Sequence, residues 1–160
     1  MPRSARPRGL LRLFLRFPIV LYRIRLGWLL GGRFLMMTHI GRRSGQPRRV
    51  ILEVVRHDRK TNTCVIASGW GEQSNWIRNI ERIPAVTVQV GLRKWPASAT
   101  RLTSDAGERE LADYAIRHPA SFRGLVKWYQ IDAAQIASTK EICRQMSSRI
   151  PLFVLQPQPR

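Results

Sequence analysis

The residues best suited to chemistry are four arginines crowded into one short stretch, residues 34–49. They are Arg42, Arg43, Arg48 and Arg49. A guanidinium group presents a planar fork of N–H donors that matches the oxygens of phosphate or carboxylate. Glycines at positions 41 and 45 bracket the first pair, and glycine lets backbone N–H groups point toward a ligand. The stretch is therefore typical of an anion-binding turn, and the alternative is a surface hairpin whose arginines are solvated.

The runs on either side of this turn predict two antiparallel strands, at residues 34–38 and 50–55. Further strands are predicted at residues 63–68, 86–90, 94–103 and 150–155, and helices at residues 74–82, 105–118, 121–130 and 133–146. There is no strand–helix–strand rhythm and no G-x-G-x-x-G motif, which argues against a Rossmann sheet. The pattern predicts a mainly β protein with helices (α+β), built as an antiparallel barrel with helical decoration.

The charge of the chain is unusual in size and in placement. The 160 residues carry a formal net charge of +18, and residues 1–49 hold twelve arginines and no acidic residue. The hydrophobic content of 44% is that of a folded globular domain. Such a balance indicates an anionic partner, which is a phosphorylated cofactor, a membrane surface or a nucleic acid.

The N-terminal segment, residues 1–30, is basic and amphipathic. Within residues 10–30 arginines interrupt the apolar residues, so no apolar run approaches the ~20 residues that cross a bilayer. The segment also lacks the small-residue cleavage site of a signal peptide. A pair of helices lying on an anionic membrane surface is one interpretation. A cap packed against the domain's own core is the other, and the two are compatible.

Side chains that do chemistry by themselves are sparse. Cys64 and Cys143 form no CxxC pair, and the three histidines are scattered, so neither a metal site nor a disulfide is expected. No nucleophile–base pair or pair of cooperating carboxylates stands out. An enzyme that takes its reactive group from a cofactor needs only to bind, orient and desolvate that cofactor.

Several ordered motifs together resemble a known family. Residues 38–48 read Thr-His-Ile-Gly-Arg-Arg-Ser-Gly-Gln-Pro-Arg, which is similar to the signature hairpin of the deazaflavin (coenzyme F420)-dependent nitroreductase-like oxidoreductases. Further matches follow in order: Ala-Ser-Gly-Trp-Gly at 67–71, Asn-Trp-Ile-Arg-Asn at 75–79, Pro-Ala-Val-Thr-Val-Gln-Val-Gly at 84–91 and Ile-Pro-Leu-Phe-Val-Leu at 150–155. The resemblance covers about residues 27–157.

This resemblance implies a fold and an activity. The family has a split β-barrel, the architecture that flavin-mononucleotide-binding oxidases also use, and residues 31–157 would form the deazaflavin-binding domain. Coenzyme F420 is an 8-hydroxy-5-deazaflavin with a phosphate and a polyglutamate tail. The family passes a hydride from it to an acceptor, here expected to be lipophilic, such as a quinone, an unsaturated lipid or a nitro compound.

The resemblance also implies roles for particular side chains. The residues that match the cofactor-binding motifs are Arg42, Arg43, Ser44, Arg48, Ala67, Ser68, Gly71, Trp76 and Asn79. The first four would hold the phosphate and tail, the next three would bring backbone close to the ring system, and the last two would pack and hydrogen-bond around it. Structural roles remain as alternatives, with Trp76 in the core and Ser68 and Asn79 as turn or capping groups.

Three further residues are expected near the acceptor, namely Glu53, Trp128 and Tyr129. Tyr129 is the candidate proton donor to the reduced acceptor, although nothing in the sequence fixes its geometry and no catalytic residue is certain. Both aromatic side chains have core packing as their alternative. At Glu53 the better-studied nitroreductase members tend to have an aromatic residue, so a carboxylate there puts their nitro substrates in doubt.

Other functions fit parts of the sequence. A basic nucleic-acid-binding module would use the charge and the five tryptophans, but no helix-turn-helix, RNP or finger motif is present, so nucleic acid is not the expected partner. The same barrel would also serve a flavin-mononucleotide (FMN) enzyme or a non-catalytic carrier of the cofactor. The leading expectation is a cytoplasmic reductase that lies peripherally on the inner face of the cell membrane.

Overall fold

The computed structural model of the chain describes residues 32–132 and 138–159. The predicted basic segment at residues 1–30 lies outside the described residues, and so do residues 133–137, where a helix is predicted to begin.

Six strands form a closed antiparallel barrel with the order β1-β2-β3-β6-β5-β4. They are β1 (Phe34–Ile40), β2 (Pro47–Asp58), β3 (Thr63–Ala67), β4 (Ala85–Val90), β5 (Arg93–Arg101) and β6 (Leu152–Pro157). The predicted fold class, an antiparallel barrel with helices, is confirmed.

Four α-helices and one short 3₁₀ helix accompany the barrel in the described residues. They are the 3₁₀ turn Gly71–Gln73, α1 (Asn75–Arg82), α2 (Ser104–Arg117), α3 (Pro119–Trp128) and α4 (Thr139–Ser147). The cap of α2 is Thr103, whose side chain accepts a hydrogen bond from the backbone of Ala106, so the predicted start at Asp105 is slightly late. α3 begins at Pro119 rather than at Ser121, since proline is well suited to the first position of a helix.

Alternation along the strands separates two hydrophobic cores. Leu35 and Met37 of β1 point into the barrel, where they belong to one core with Trp76, Ile77 and Ile80 of α1. Outward-facing residues of β2 and β3 form the second core with the buried faces of α2, α3 and α4. Full burial of each such large side chain contributes about 1.5–3 kcal/mol, so both cores hold helices firmly against the barrel.

The two ends of the barrel are built from different connections. The hairpin end consists of the turn at residues 41–46 together with α1, which links the end of β3 to the start of β4. The far end consists of the turns at residues 59–62 and 91–92 and of residues 32–33, which lead into β1. Because neighbouring strands are antiparallel, these two groups of connections lie at opposite ends.

Candidate functional site

The arginine turn at the hairpin end is closed by its own backbone. The N–H of Gly41 donates to the carbonyl of Gln46 at 2.9 Å, and the N–H of Gly45 donates to the carbonyl of Gly41 at 2.8 Å. Gly45 adopts φ +65°, a conformation that side chains with a Cβ seldom take. The backbone of the turn therefore has one compact shape.

Gly41 is where the side chains of this turn converge most closely. A Cβ at this position would lie 2.7 Å from the Oγ of Ser44 and 2.8 Å from the Nε of Arg48, well inside contact distance. The absence of a side chain thus lets a hydroxyl and a guanidinium meet over the backbone. The concavity has a volume of about 180 Å³ and is lined by Gly41, Arg42, Arg43, Ser44, Arg48, Asn75 and Asn79.

Asn79 fastens the turn to α1. Its Oδ1 accepts two hydrogen bonds from Arg42, one from the backbone N–H at 3.1 Å and one from Nη1 at 3.0 Å. Its Nδ2 then faces the Nδ1 of His39 at 3.2 Å. This amide is only 3% exposed, so its three contacts replace those that water would make.

The same contacts define the state of His39. Both hydrogen bonds from Arg42 go to Oδ1 of Asn79, so Nδ2 of Asn79 is the donor toward His39. Nδ1 of His39 must therefore be the acceptor. The imidazole is then the neutral tautomer with its proton on Nε2. Burial lowers the pKa of His39. A hydrogen bond with the backbone of Ile40 raises this pKa in part, and the positive charge of Arg48 lowers it.

A larger cavity of about 570 Å³ adjoins the arginine turn. The two cavities share Arg48, Asn75 and Asn79 in their walls. Six of the sequence-predicted site residues line the larger one: Arg48, Glu53, Ala67, Trp76, Asn79 and Tyr129. Apolar side chains from β2, α2 and α3 supply much of the remaining wall. The arrangement joins a ring-sized, largely apolar space to an arginine-rich one.

Glu53 is held at the wall of this cavity by a buried tyrosine. The hydroxyl of Tyr114 donates to its Oε1 at 2.6 Å, and Nη2 of Arg33 lies 3.8 Å from the same oxygen. Burial raises the pKa of Tyr114 to about 12, and the acceptor Glu53 adds to the rise. The phenol therefore keeps its proton and holds the carboxylate in one orientation.

The two aromatic residues expected near the acceptor lie in different surroundings. Tyr129 lines the cavity, but its hydroxyl donates to the carbonyl of Ser68 at 2.9 Å, and burial raises its pKa to about 12. Trp128 is 61% exposed and is not among the cavity-lining residues. Its indole N–H donates to the carbonyl of Gly69 at 3.3 Å, and its ring meets Trp70 edge-on at 5.7 Å.

The remaining predicted residues divide between the turn and the core. Ser68 is buried, and its hydroxyl donates to the carbonyl of Gly71 at 3.0 Å. Neither of these two residues lines either cavity. Trp76 lines the larger cavity while its ring packs edge-on against Phe153 in the barrel core at 5.6 Å. Asn79, by contrast, contributes to both cavities and to the polar contacts around the turn.

Two cavity residues, His39 and Tyr114, are not predicted from the sequence. His39 follows Leu35 and Met37 at a spacing of two, so it faces the inside of the barrel as they do. A polar residue at an inward-facing strand position is the sequence signal that could have identified it. Tyr114 lies on the buried face of α2 and looks like a core aromatic until its partner 61 residues away is known.

The sequence that forms this turn and cavity matches a known family. The model of the F420H(2)-dependent quinone reductase family matches residues 24–157. The chain belongs to this family. It is therefore a deazaflavin-dependent oxidoreductase, and the predicted resemblance to the coenzyme F420-dependent enzymes is confirmed. No curated protein matches the chain.

Solved structures show the same fold at low sequence identity. An F420-H2-dependent reductase, FDR-A, is 19% identical over 78% of this chain and 94% of its own, with a TM-score of 0.53. The heme storage protein HutZ from Vibrio cholerae is 16% identical over 90% and 91%, with a TM-score of 0.52. A putative pyridoxamine 5'-phosphate oxidase from Listeria innocua is 14% identical over 88% and 94%, with a TM-score of 0.52. At these identities the likeness establishes the fold alone.

None of the helices within residues 32–132 and 138–159 is long and apolar enough to cross a bilayer.

Proposed function

We propose that this chain uses reduced coenzyme F420 to reduce a neutral, lipophilic quinone-type acceptor. The observation that carries the proposal is the meeting of two unlike cavities at Arg48 and Asn79, one largely apolar and one lined by arginines. Membership of the F420H(2)-dependent quinone reductase family supports both the cofactor and the class of acceptor.

The residues present fit the chemistry of this cofactor. The larger cavity, at about 570 Å³, falls within the roughly 300–1,000 Å³ of small-molecule sites. Ala67 and Trp76 would lie against the ring system there. The arginines of the turn, with Ser44, would hold the phosphate and polyglutamate tail, and the glycine at position 41 leaves room for them to converge.

The protein's own contribution to the reaction is to bind, orient and exclude water. When bound, the reduced deazaflavin supplies the hydride. His39 stays neutral because burial lowers its pKa, and it keeps an N–H donor on a ring that lines the cavity. The hydroxyl of Tyr129 is engaged with Ser68, so its use as proton donor requires that hydrogen bond to break. The neutral imidazole of His39 is a weaker acid than a phenol, so it is placed to donate a hydrogen bond to the acceptor rather than a proton, and Tyr129 remains the candidate proton donor.

The wall formed by Glu53 and Tyr114 bears on the choice of acceptor. A fixed carboxylate repels an acceptor with a negative charge and tolerates a neutral ring with two carbonyl groups. Trp70 and Trp128, at the surface near this cavity, would extend an aromatic contact to an acceptor that arrives from a lipid phase. A neutral, lipophilic quinone meets these conditions.

We also propose that the enzyme works in the cytoplasm, peripherally on the inner, anionic face of the cell membrane. The support is the formal charge of +18 and the basic, apolar segment at residues 1–30. The full chain should sediment with anionic vesicles and be partly released by high salt. A chain lacking the first 30 residues that still binds deazaflavin but no vesicles would identify the anchor. Failure of the intact chain to bind anionic vesicles at low salt would remove the membrane proposal.

The activity itself is tested by mixing purified protein with reduced coenzyme F420 and a soluble menaquinone analogue. Reoxidation of the deazaflavin, followed by absorbance, should depend on enzyme and on quinone. Reduced FMN and a nitroaromatic acceptor serve as matched controls and should turn over more slowly. Turnover with FMN alone, or with the nitro compound in preference to the quinone, would reject the proposed cofactor or acceptor respectively.

A further inference from the structure

A second polar cavity, of about 440 Å³, opens at the far end of the barrel. It is separated from the proposed acceptor cavity by a shared wall, since Glu53 and Tyr114 line both. Five arginines line it, which is more than line the cofactor cavities. Neither the family nor the proposed function assigns a role to this end.

Three of these arginines already have protein partners. Arg56 makes hydrogen bonds of 2.8–3.1 Å to Glu110, and Arg117 pairs with Asp113 at 2.8 Å. Arg33 donates to Ser121 at 2.6 Å. Their charges are therefore committed at least in part to the protein.

The other two, Arg59 and Arg93, stand apart from them. They have neither an ion pair nor a side-chain hydrogen bond within residues 32–132 and 138–159. Both are exposed, and their positive charges add to the effect of burial in lowering the pKa of His57, while the neighbouring carboxylate of Asp58 acts in the opposite direction. Positive charge therefore accumulates around His57 without a carboxylate committed to these two arginines.

Two buried ring nitrogens lie among these charges. The rings of His57 and Trp95 are stacked, with centroids 6.0 Å apart and planes at 16°. Nε2 of His57 and Nε1 of Trp95 are buried and find no hydrogen-bond partner in the described part of the chain. A buried polar atom without a hydrogen bond is unfavourable, so such a pair needs an explanation.

We propose that the far end of the barrel binds a phosphate group through Arg59 and Arg93, beside the stacked rings of His57 and Trp95. Both guanidiniums only donate hydrogen bonds and carry positive charge, so the complementary ligand is an acceptor with negative charge. A phosphate group offers several acceptor oxygens to donors that approach from different elements, and arginine is well suited to it.

The chain's own N-terminal residues do not complement this cavity. Residues 1–31 contain seven arginines and no acidic residue, so they add positive charge where positive charge is already in excess. An external anion is therefore the better partner. The phosphate could belong to a free phosphate compound or to the headgroup of an anionic lipid, and both sources present the same chemistry.

The proposal is tested on the full chain by following the indole N–H resonance of Trp95 by NMR, assigned with Trp95→Phe. Inorganic phosphate should shift this resonance saturably. The double variant Arg59→Gln/Arg93→Gln should weaken binding by about tenfold or more, because two charge-assisted contacts are lost. Arg123→Gln, which removes an exposed charge on α3, should leave the titration unchanged. Absence of a shift in the wild type, or equal binding by the double variant, would overturn the proposal.

Vesicles separate the two sources of phosphate. If a lipid headgroup is the ligand, phosphatidylglycerol vesicles should perturb the Trp95 resonance and added inorganic phosphate should reverse the effect. If a free phosphate is the ligand, vesicles should leave the resonance alone while inorganic phosphate still shifts it. Both results support a phosphate site, and neither requires the deazaflavin to bind. An effect of neutral phosphatidylcholine vesicles as large as that of phosphatidylglycerol would contradict it.

Discussion

The hairpin end and the far end of the barrel both combine arginines with a histidine whose pKa is lowered by burial. At the hairpin end, Asn79 gives hydrogen-bond partners to both Arg42 and His39. At the far end, Nε2 of His57 has no partner among the described residues. A polar network that is satisfied within the protein fixes the geometry of a site before the ligand arrives, whereas unsatisfied donors depend on the ligand itself. The two ends thus represent a preorganised site and a ligand-completed one.

Removal of Asn79 should give the largest effect on the hairpin end. Asn79→Ala leaves the backbone and side chain of Arg42 and Nδ1 of His39 without a partner, which should lower the free energy of unfolding by about 2–4 kcal/mol. Denaturant unfolding measures this loss, and deazaflavin binding should weaken with it because the turn is no longer fastened to α1.

Two further variants, one elsewhere in α1 and one at position 79 itself, test whether the loss comes from the hydrogen bonds of Asn79. Asn75→Ala, at an exposed position in α1, should change stability by no more than about 0.5 kcal/mol. Asn79→Asp keeps an acceptor for Arg42 and removes the donor to His39, so it should recover part of the loss. If Asn79→Ala is no more damaging than Asn75→Ala, the hairpin end is not organised by this network.

A methyl group at Gly41 should affect binding more than stability. The new Cβ of Gly41→Ala would displace the ends of Ser44 and Arg48, which are flexible side chains and can move aside at modest cost. We expect deazaflavin affinity to fall about tenfold, equivalent to about 1.4 kcal/mol, with a small change in melting temperature. Fluorescence titration and thermal unfolding measure the two quantities.

The control for this substitution is Gly124→Ala in α3, where a Cβ meets nothing within 4 Å. Alanine in a helix is favoured over glycine by roughly 0.5–1 kcal/mol, so this variant should be slightly more stable and bind the cofactor as before. Unchanged affinity in Gly41→Ala would show that the converging side chains do not hold the ligand.

The smallest expected effect is a pH dependence that both ends share. Burial lowers the pKa values of His39 and His57 below 6.5, the usual value for histidine, so the unfolded chain binds more protons than the folded chain as the pH falls. The stability that this contributes is present above about pH 6.5 and is lost as the pH falls below it. His39→Gln should flatten the slope of unfolding free energy between about pH 7 and about pH 5, and His57→Gln should remove a separate share. If the slope persists in the double variant His39→Gln/His57→Gln, other titratable groups cause the pH dependence.

Local sequence signals were sufficient for the barrel. Strand positions follow from β-branched runs bounded by turn residues, and the helices from caps and prolines, because both kinds of signal act within a few residues. Errors arise at the ends of elements. β2 runs from Pro47 to Asp58 rather than from 50 to 55, β6 from Leu152 to Pro157 rather than from 150 to 155, and Thr103 rather than Asp105 caps α2. The alternation of inward and outward residues then fixes which faces form each core.

The candidate site was predictable only where its residues are neighbours in sequence. The turn holds its arginines within a few positions, so their shared role could be inferred, whereas Glu53 and Tyr114 meet across 61 residues and His39 and Asn79 across 40. Contacts at such separations depend on the closed barrel rather than on any local pattern. Trp128 was placed near the acceptor from the sequence but lies exposed on the surface, and its position in a helix gives no indication of this exposure.

The central claim is that the turn at the hairpin end holds the anionic tail of the cofactor, and a charge reversal at each end tests it. Arg43 is exposed and makes neither a hydrogen bond nor an ion pair within the described residues, so Arg43→Glu alters charge without breaking the protein's own contacts. Arg59→Glu is its counterpart at the far end. Fluorescence titration of both variants with coenzyme F420, and with a deazaflavin that lacks the tail, gives the comparison.

We predict that Arg43→Glu weakens binding of the tailed cofactor by about 2–4 kcal/mol, because an attraction becomes a repulsion. Binding of the tail-free deazaflavin should change little, and Arg59→Glu should leave both affinities close to those of the wild type. Equal losses for the tailed and tail-free ligands, or an equal loss in the two variants, would contradict the assignment of the tail to the hairpin end.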